Sequence, residues 1–192
     1  MPMLAADTLL PHLEQYIRVS EALQAALLNR VRVASYGKGQ LLHDARHVCT
    51  RSDFIQRGLV RLYYLRDGEK ITEYFSAEGE WVNSPNSFIK RLPDIYYLEA
   101  LEPTHTLSLQ VQDLGYLFDT FPEMERYARL SMGSVFGHLM DRITSLRFTS
   151  AKEKYAHFCD THHDILPRLP LGMVASYLGI TQETLSRVRA GR

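Results

Sequence analysis

The chain has 192 residues, of which 45% are hydrophobic, enough for one large or two small folded domains. No apolar run approaches the roughly 20 residues that cross a bilayer, and the first residues lack the basic stretch and apolar core of a secretory signal, so we expect a cytoplasmic protein without a membrane partner. Two cysteines, Cys49 and Cys159, are too few for a disulfide framework or a Cys-based iron–sulfur site, and both are predicted to be reduced and structural.

Charge is unevenly distributed along the chain. The formal net charge is zero, which argues against a protein that coats polyanions indiscriminately. Residues 147–192 nevertheless hold seven Lys or Arg against four Asp or Glu. A modestly basic C-terminal end on an acidic body is suited to a module that faces phosphates.

The first half of the chain changes from helical to strand-like patterning. Residues 7–30 carry apolar side chains at helical spacing and predict two short helices, with Ser20 as N-cap of the second. From Val31 the spacing of the apolar residues shortens to two, the period of a β-strand. The clearest hairpin turns at Asp67-Gly68, a pair that readily takes positive φ angles. IYYLEAL and HTLSLQV predict a further strand pair, and strands about ten residues apart predict a sandwich or small barrel.

Helical periodicity returns after Gln112 and continues to the end of the chain. Apolar residues recur at spacings near three and four along a predicted long helix: Met124, Tyr127, Leu130, Val135, Leu139, Ile143 and Leu146. Such a stripe has to be covered, either by the β region or by a second copy of the helix. We expect a second copy to cover part of it.

The segment LGMVASYLGITQETLSRVRA, beginning at Leu171, has the features of a helix-turn-helix. Ala175 is small enough for two helices to cross closely, and Gly179 can end the first helix in the left-handed conformation. Thr181 is a suitable N-cap for the second helix, and Glu183 adds a carboxylate to its first turn. The core between the helices is predicted to consist of Val174, Leu178, Ile180, Leu185 and Val188.

The opposite face of the second helix carries side chains that can read DNA. Gln can bond adenine, Glu can accept from cytosine, and Arg can bind the O6 and N7 of guanine. The predicted DNA-binding residues are Thr181, Gln182, Glu183, Ser186, Arg187 and Arg189. A helical hairpin with a polar solvent face would have the same periodicity, but it does not readily explain a capped, Arg-bearing second helix.

With these features, the chain resembles the Crp/Fnr family of transcription regulators. The resemblance rests on GITQETLSR from Gly179, supported by the Gly37/Gly39 turn, RGLVRLYY from Arg57 and EGEW from Glu78. It implies an α+β protein: a cyclic-nucleotide-binding-like β-roll, a long dimerisation helix and a C-terminal helix-turn-helix. It also implies that Glu183 and Arg187 are the principal base readers.

The resemblance places a candidate effector pocket at Gly79, Glu80, Arg91 and Tyr97. Family members that bind cyclic AMP hold its phosphate with an Arg followed by a small hydroxyl residue. Here Asp94 and Ile95 stand at those positions, and a carboxylate would repel the phosphate. We therefore expect no cyclic AMP binding. A different small-molecule effector is left as an open alternative, and no cofactor is predicted.

The segment HFCDTHHD, from His157 to Asp164, contains residue types that bind metals. It lacks an HExxH motif or a matched Cys pair, so we predict no metal site and no catalytic residues. The segment is expected to lie beside the DNA-binding module, where His162 or His163 would meet phosphate when protonated.

The sequence thus predicts three segments: an effector domain at 1–112, a dimerisation helix at 113–148 and a DNA-binding domain at 149–192. The expected partners are a second copy of the chain and double-stranded DNA with an inverted repeat, and RNA polymerase is a further candidate. Two alternatives remain open. One is a cupin-like metal-dependent enzyme, and the other is an effector-free module that binds protein.

Overall fold

The computed structural model describes residues 5–191. Its N-terminal part is built around two antiparallel four-stranded sheets. Residues 1–4 and 192, which belong to the first and third predicted segments, lie outside the described residues. Helices α1 (Ala5–Glu14) and α2 (Glu21–Arg30) come first, as predicted. The Ser20 hydroxyl accepts the Leu23 amide and is the N-cap of α2.

The strands form a roll. They are β1 (Arg32–Tyr36), β2 (Leu41–His43), β3 (Arg51–Arg57), β4 (Val60–Arg66), β5 (Glu69–Ser76), β6 (Trp81–Val82), β7 (Tyr96–Ala100) and β8 (Thr104–Gln110). One sheet has the order β1-β8-β3-β6 and the other β2-β7-β4-β5. The predicted sandwich or small barrel is therefore confirmed. A short helix not predicted from the sequence, α3 (Pro85–Lys90), lies between β6 and β7.

The predicted hairpin at Asp67-Gly68 is confirmed. It joins β4 to β5, and both turn residues have positive φ, 51° and 83°. The predicted pairing of IYYLEAL with HTLSLQV is wrong, although both segments are strands. β7 pairs with β2 and β4, whereas β8 pairs with β1 and β3, so the chain crosses between sheets at residues 101–103. Each of these two strands thereby obtains partners on both of its edges.

Gly58 allows a close backbone approach within the roll. It turns the chain from β3 into β4 with φ 113°. A Cβ atom at this position would lie 2.7 Å from the Cα of Thr104, at the start of β8. Only glycine fits here without displacing the backbone.

The C-terminal half is helical, as expected. The predicted segment 113–148 contains two helices, α4 (Val111–Thr120) and α5 (Pro122–Phe148), because the chain breaks at Phe121 before Pro122 begins the long helix. Then follow α6 (Ala151–Thr161), a 3-10 turn (Leu166–Arg168), α7 (Leu171–Leu178) and α8 (Gln182–Arg189).

Three hydrophobic clusters hold these elements together. The first joins α1, α2 and the start of α5 to the outer side of β3 and β8, and includes Leu23, Leu107 and Met124. The second lies inside the roll around Ile55 and Leu98. The third combines Leu59 and Phe75 of the roll with side chains of α6, α7 and α8, so the C-terminal helices pack directly on the roll.

Candidate nucleic-acid interface

The start of helix α8 and the turn before it form as the sequence predicts. Gly179 has a left-handed conformation with φ 65°, and ends α7. The Thr181 hydroxyl accepts the Thr184 amide at 3.1 Å and caps α8. Glu183 lies in the first turn, where the partial positive charge of the helix end favours a carboxylate.

The core between α7 and α8 fixes which side of α8 faces outward. Val174, Ala175, Leu178 and Leu185 are buried. The predicted core residues Ile180 and Val188 are only half-buried. Because α8 is anchored through Leu185, the side chains on the opposite side of the helix point away from the body of the protein.

The structure brings the predicted DNA-binding residues together on one exposed surface. All six are solvent-exposed: Thr181, Gln182, Glu183, Ser186, Arg187 and Arg189. Arg187 makes a single long hydrogen bond from Nη2 to the Thr184 hydroxyl, 3.3 Å. Arg189 differs from the others, because its side chain reaches the Tyr155 hydroxyl of α6. Gln182, Glu183 and Arg187 therefore present amide, carboxylate and guanidinium groups to a ligand.

Helix α6 supports this unit from behind. It begins with a capping box in which the Ser150 hydroxyl accepts the Glu153 amide and the Glu153 carboxylate accepts the Ser150 amide. Phe158 is buried against Phe75 of the roll and Tyr177 of α7. The capped start of α6 and the buried Phe158 fix the approach of the chain to the helix-turn-helix.

Of the two histidines expected to meet phosphate, His162 is the less suited to that role. Its ring stacks on Phe158 with centroids 4.5 Å apart, and burial, followed by the nearby His157 and His138, lowers its pKa to about 4. It is therefore neutral near pH 7 and unsuited to pairing with phosphate as a cation. His163 is exposed beside Asp164, at 3.1 Å, so its role toward phosphate stays a prediction.

The helix-turn-helix is attached to the roll by polar contacts as well as by the third cluster. The amide of Thr72 in β5 donates to the Ser176 hydroxyl of α7 at 2.9 Å. Arg142 of α5 donates to the carbonyl of Tyr177 at 2.8 Å and lies 3.3 Å from the Glu73 carboxylate. One arginine thus links the long helix, the roll and α7.

Arg168, in the 3-10 turn before α7, makes the largest polar contact of this attachment. Its guanidinium reaches Glu102 at 2.6 and 3.3 Å and Glu78 at 2.9 and 3.0 Å. Hydrogen bonds to Glu102 and then to Glu78 raise the pKa of Arg168. Burial alone would raise the pKa of Glu78, but hydrogen bonds from Arg168 and the Gly58 amide together lower it. Sequence reasoning missed this site, because Glu102 and Glu78 lie 66 and 90 positions before Arg168 in the sequence.

A cleft of about 170 Å³ opens where the roll, α5, α6 and α7 meet. Of the four predicted effector residues, only Glu80 lines it. Gly79 forms the turn between β5 and β6 with φ 84°. Arg91 is exposed at the C-terminal end of α3, 4.9 Å from the Phe88 ring, and Tyr97 stacks on Tyr63 at 5.2 Å.

The polar side chains around Asp53, inside the roll, are hydrogen-bonded to one another. The buried Asp53 accepts from the hydroxyls of Thr106 and Ser108 and pairs with Arg51 at 3.1 Å. Arg51 also donates to the Tyr36 hydroxyl at 2.8 Å.

The Asp94 carboxylate binds the start of α3. It accepts from the Ser84 hydroxyl at 2.5 Å, the Ser87 amide at 2.9 Å and the Tyr96 amide at 3.0 Å. The start of α3 therefore already holds a carboxylate.

The long helix leaves most of its apolar stripe exposed in a single chain. Met124 and Tyr127, near its start, are buried on the roll, where the Tyr127 hydroxyl accepts from the Trp81 indole at 2.8 Å. Beyond this point, large apolar side chains are between 38% and 66% exposed: Leu130, Met132, Val135, Phe136, Leu139, Met140, Ile143 and Leu146. The roll thus covers only the first part of the stripe, and the remainder is open to a partner.

A metal site would favour the alternative of a metal-dependent enzyme, and a membrane-spanning helix would indicate a membrane protein. Within residues 5–191, no group of three or more His, Cys, Asp and Glu side chains is arranged to hold a metal ion. No helix in this range is both long and apolar enough to cross a membrane.

No protein-family model matches the sequence, and no curated protein matches it. Solved structures do. FixK2 from Bradyrhizobium japonicum has a TM-score of 0.73 and 20% identity over 84% of this chain and 83% of that one. A transcriptional regulator of the Crp/Fnr family from Eubacterium rectale has a TM-score of 0.68 and 18% identity over 90% and 82%. The c-di-GMP-responsive regulator CLP from Xanthomonas campestris has 0.68 and 16% over 90% and 91%. The chain therefore has the fold of the Crp/Fnr transcription regulators.

Proposed function

We propose that this protein is a sequence-specific, DNA-binding transcription regulator without catalytic activity, acting in the cytoplasm. The observation that carries the proposal is the exposed face of α8, where Gln182, Glu183 and Arg187 project from a capped helix anchored through buried Leu185. These three side chains can make the hydrogen bonds that distinguish base pairs in the major groove. The fold shared with transcription regulators supports the same function.

We further propose that the protein acts as a homodimer formed along α5. The exposed stripe from Leu130 to Leu146 continues the buried contacts of Met124 and Tyr127, and a second α5 would cover it. In a twofold dimer the two α8 helices would enter successive major grooves, so the site would be an inverted repeat with half-sites about 34 Å apart. RNA polymerase is the further partner that we propose for a regulator bound at a promoter.

The roll is proposed not to bind cyclic AMP. The Asp94 carboxylate already accepts the Ser87 amide at the start of α3, and the inward polar groups around Asp53 are hydrogen-bonded to each other. A cyclic phosphate placed beside Asp94 would meet a like charge. If an effector acts on this chain, we propose the cleft between the roll and the C-terminal helices as its site, because the roll, α5, α6 and α7 all line that cleft.

Selection of duplex DNA from a random pool tests the main proposal. Wild type, Arg187→Ala and Arg66→Ala are compared at two salt concentrations; Arg66 is an equally cationic, 74% exposed residue on the β4–β5 hairpin. We expect an inverted repeat for wild type and Arg66→Ala, and relaxed specificity at one position of each half-site for Arg187→Ala, a change of about 1–3 kcal/mol. Absence of enrichment at either salt would contradict the proposal, and salt-independent binding would favour the protein-interaction alternative.

A further inference from the structure

The helix-turn-helix is held on the roll at two separate places. On one side, Ser176 accepts the Thr72 amide and Arg142 binds the Tyr177 carbonyl. On the other side, Arg168 binds Glu78 and Glu102. Two attachments on opposite ends of α7 restrict its rotation more strongly than one attachment would.

The two carboxylates that bind Arg168 come from different turns of the roll. Glu78 lies between β5 and β6, and Glu102 lies between β7 and β8. Glu78 is itself fixed, because one of its oxygens accepts the Gly58 amide at 2.7 Å. The guanidinium is planar and presents its donors at fixed angles, so two carboxylates define its orientation as well as its position.

Arg168 is three residues before the first residue of α7, and no long flexible segment separates them. The orientation of Arg168 is therefore passed to α7, and through the buried Val174, Leu178 and Leu185 to α8. Leu59 and Phe75 add apolar contact, but such contact is not directional. Polar contacts with fixed geometry are needed to select one orientation of α7 and α8 relative to the roll.

We propose that Arg168, through Glu78 and Glu102, is a positioning residue that fixes α8 relative to the roll and thereby sets the spacing between half-sites. The inference rests on the proposed DNA-binding function. In a dimer whose rolls and long helices are fixed, the angle of each helix-turn-helix determines the separation of the two α8 helices. Loss of the contact should leave base reading intact and widen the range of accepted spacings.

The first measurement uses DNA. Two copies of the half-site selected by wild type are joined by spacers of varied length, and binding is compared for wild type, Arg168→Gln, the double variant Glu78→Gln/Glu102→Gln, and Arg66→Gln as the control. We expect wild type and the control to prefer one spacer by at least tenfold over spacers one base pair longer or shorter. Arg168→Gln and the double variant should reduce that preference to below threefold, with binding to a single half-site changed less than twofold.

A combined variant separates a shared role from general damage. If Arg168 acts only through the two carboxylates, adding Arg168→Gln to the double variant should change the spacer preference by less than twofold. An unchanged spacer preference in Arg168→Gln would overturn the inference. Equal loss of single half-site and full-site binding would also overturn it, since that pattern indicates general disruption of the DNA-binding unit.

The second measurement needs no DNA. Hydrogen exchange of the Thr72 amide, which donates to Ser176 across the attachment, is followed by NMR. The Val111 amide, which donates to the Thr50 carbonyl within the body of the protein, is followed as the control. We expect Arg168→Gln to speed exchange at Thr72 at least tenfold and at Val111 less than twofold. If wild type selects no DNA, the proposed function is wrong. Unchanged Thr72 exchange would show separately that Arg168 does not hold the unit in place.

Discussion

Arg142 binds Tyr177 in two ways at once. Its Nη1 atom donates to the Tyr177 backbone carbonyl at 2.8 Å, and its guanidinium carbon lies 4.1 Å from the centre of the Tyr177 ring. Nη2 faces the Thr72 carbonyl and the Glu73 carboxylate, and the side chain is only 11% exposed. The long helix is therefore fastened to both the roll and the helix-turn-helix by a buried cation.

We expect Arg142→Ala to lower the free energy of unfolding by about 2–3 kcal/mol, because a buried carbonyl and a carboxylate lose a charged donor and the Tyr177 ring loses a cation–π contact. Arg142→Lys should recover less than half of this, since an ammonium does not stack or form the same fork. Urea unfolding measures both. Arg66→Ala, at an exposed hairpin position, should change stability by less than about 0.5 kcal/mol. An equally small loss for Arg142→Ala would contradict the prediction.

The exposed stripe of α5 gives a second prediction. Leu139 is 44% exposed in the single chain, and Leu139→Lys would place a charge in the proposed dimer interface. The dimer dissociation constant should rise at least tenfold, or about 1.4 kcal/mol. Sedimentation velocity over a range of concentrations measures this directly. Leu65→Lys, at a 49% exposed position on the β4–β5 hairpin, is the matched control and should leave association unchanged. A dimer as tight in Leu139→Lys as in wild type would place the interface elsewhere.

The backbone conformation of Gly179 gives a third prediction. Its φ of 65° disfavours any side chain, and a Cβ atom there would lie 3.3 Å from a methyl carbon of Leu146. Gly179→Ala should therefore lower the free energy of unfolding by about 1–2 kcal/mol. Gly115→Ala is the control, because a Cβ atom on Gly115, within α4, would have nothing within 4 Å; it should raise stability by up to about 1 kcal/mol. A neutral Gly179→Ala would show that the turn tolerates a side chain.

Features that depend on a few neighbouring residues can be predicted from the sequence. The Asp67-Gly68 turn, the Ser20 and Thr181 caps and the Gly179 helix end each depend on local backbone geometry, which the residue type itself determines. The sharing of an exposed face by Gln182, Glu183 and Arg187 follows from helical spacing alone.

Features that join distant parts of the chain are not predictable in this way. β7 and β8 have the alternation expected of strands, but alternation does not say which strand is the partner, and the two belong to different sheets. The contact of Arg168 with Glu78 and Glu102 depends on how the C-terminal helices pack on the roll. The sequence does not show that His162 packs against Phe158, and the burial that accompanies this packing is what lowers the pKa of His162.

The partial burial of His162 makes stability depend on pH. In the unfolded chain a histidine has a pKa near 6.5, whereas the folded value is about 4, lowered mainly by burial. Between these values the unfolded state binds more protons, so stability falls as pH drops from 6.5 toward 4 and is insensitive to this group above 6.5. We expect the free energy of unfolding to fall by about 1–2 kcal/mol between pH 7 and 4.5, less than the full pKa difference implies because the ring is only partly buried.

Urea unfolding at several pH values tests this with two variants. His162→Phe keeps a ring against Phe158 but cannot be protonated, so its stability should fall with pH more gradually than that of wild type. His163→Gln removes an exposed histidine one residue away, and its pH dependence should match that of wild type. If wild type and His162→Phe lose stability in parallel between pH 7 and 4.5, protonation of other groups governs the acid sensitivity, and His162 is not buried in its neutral form.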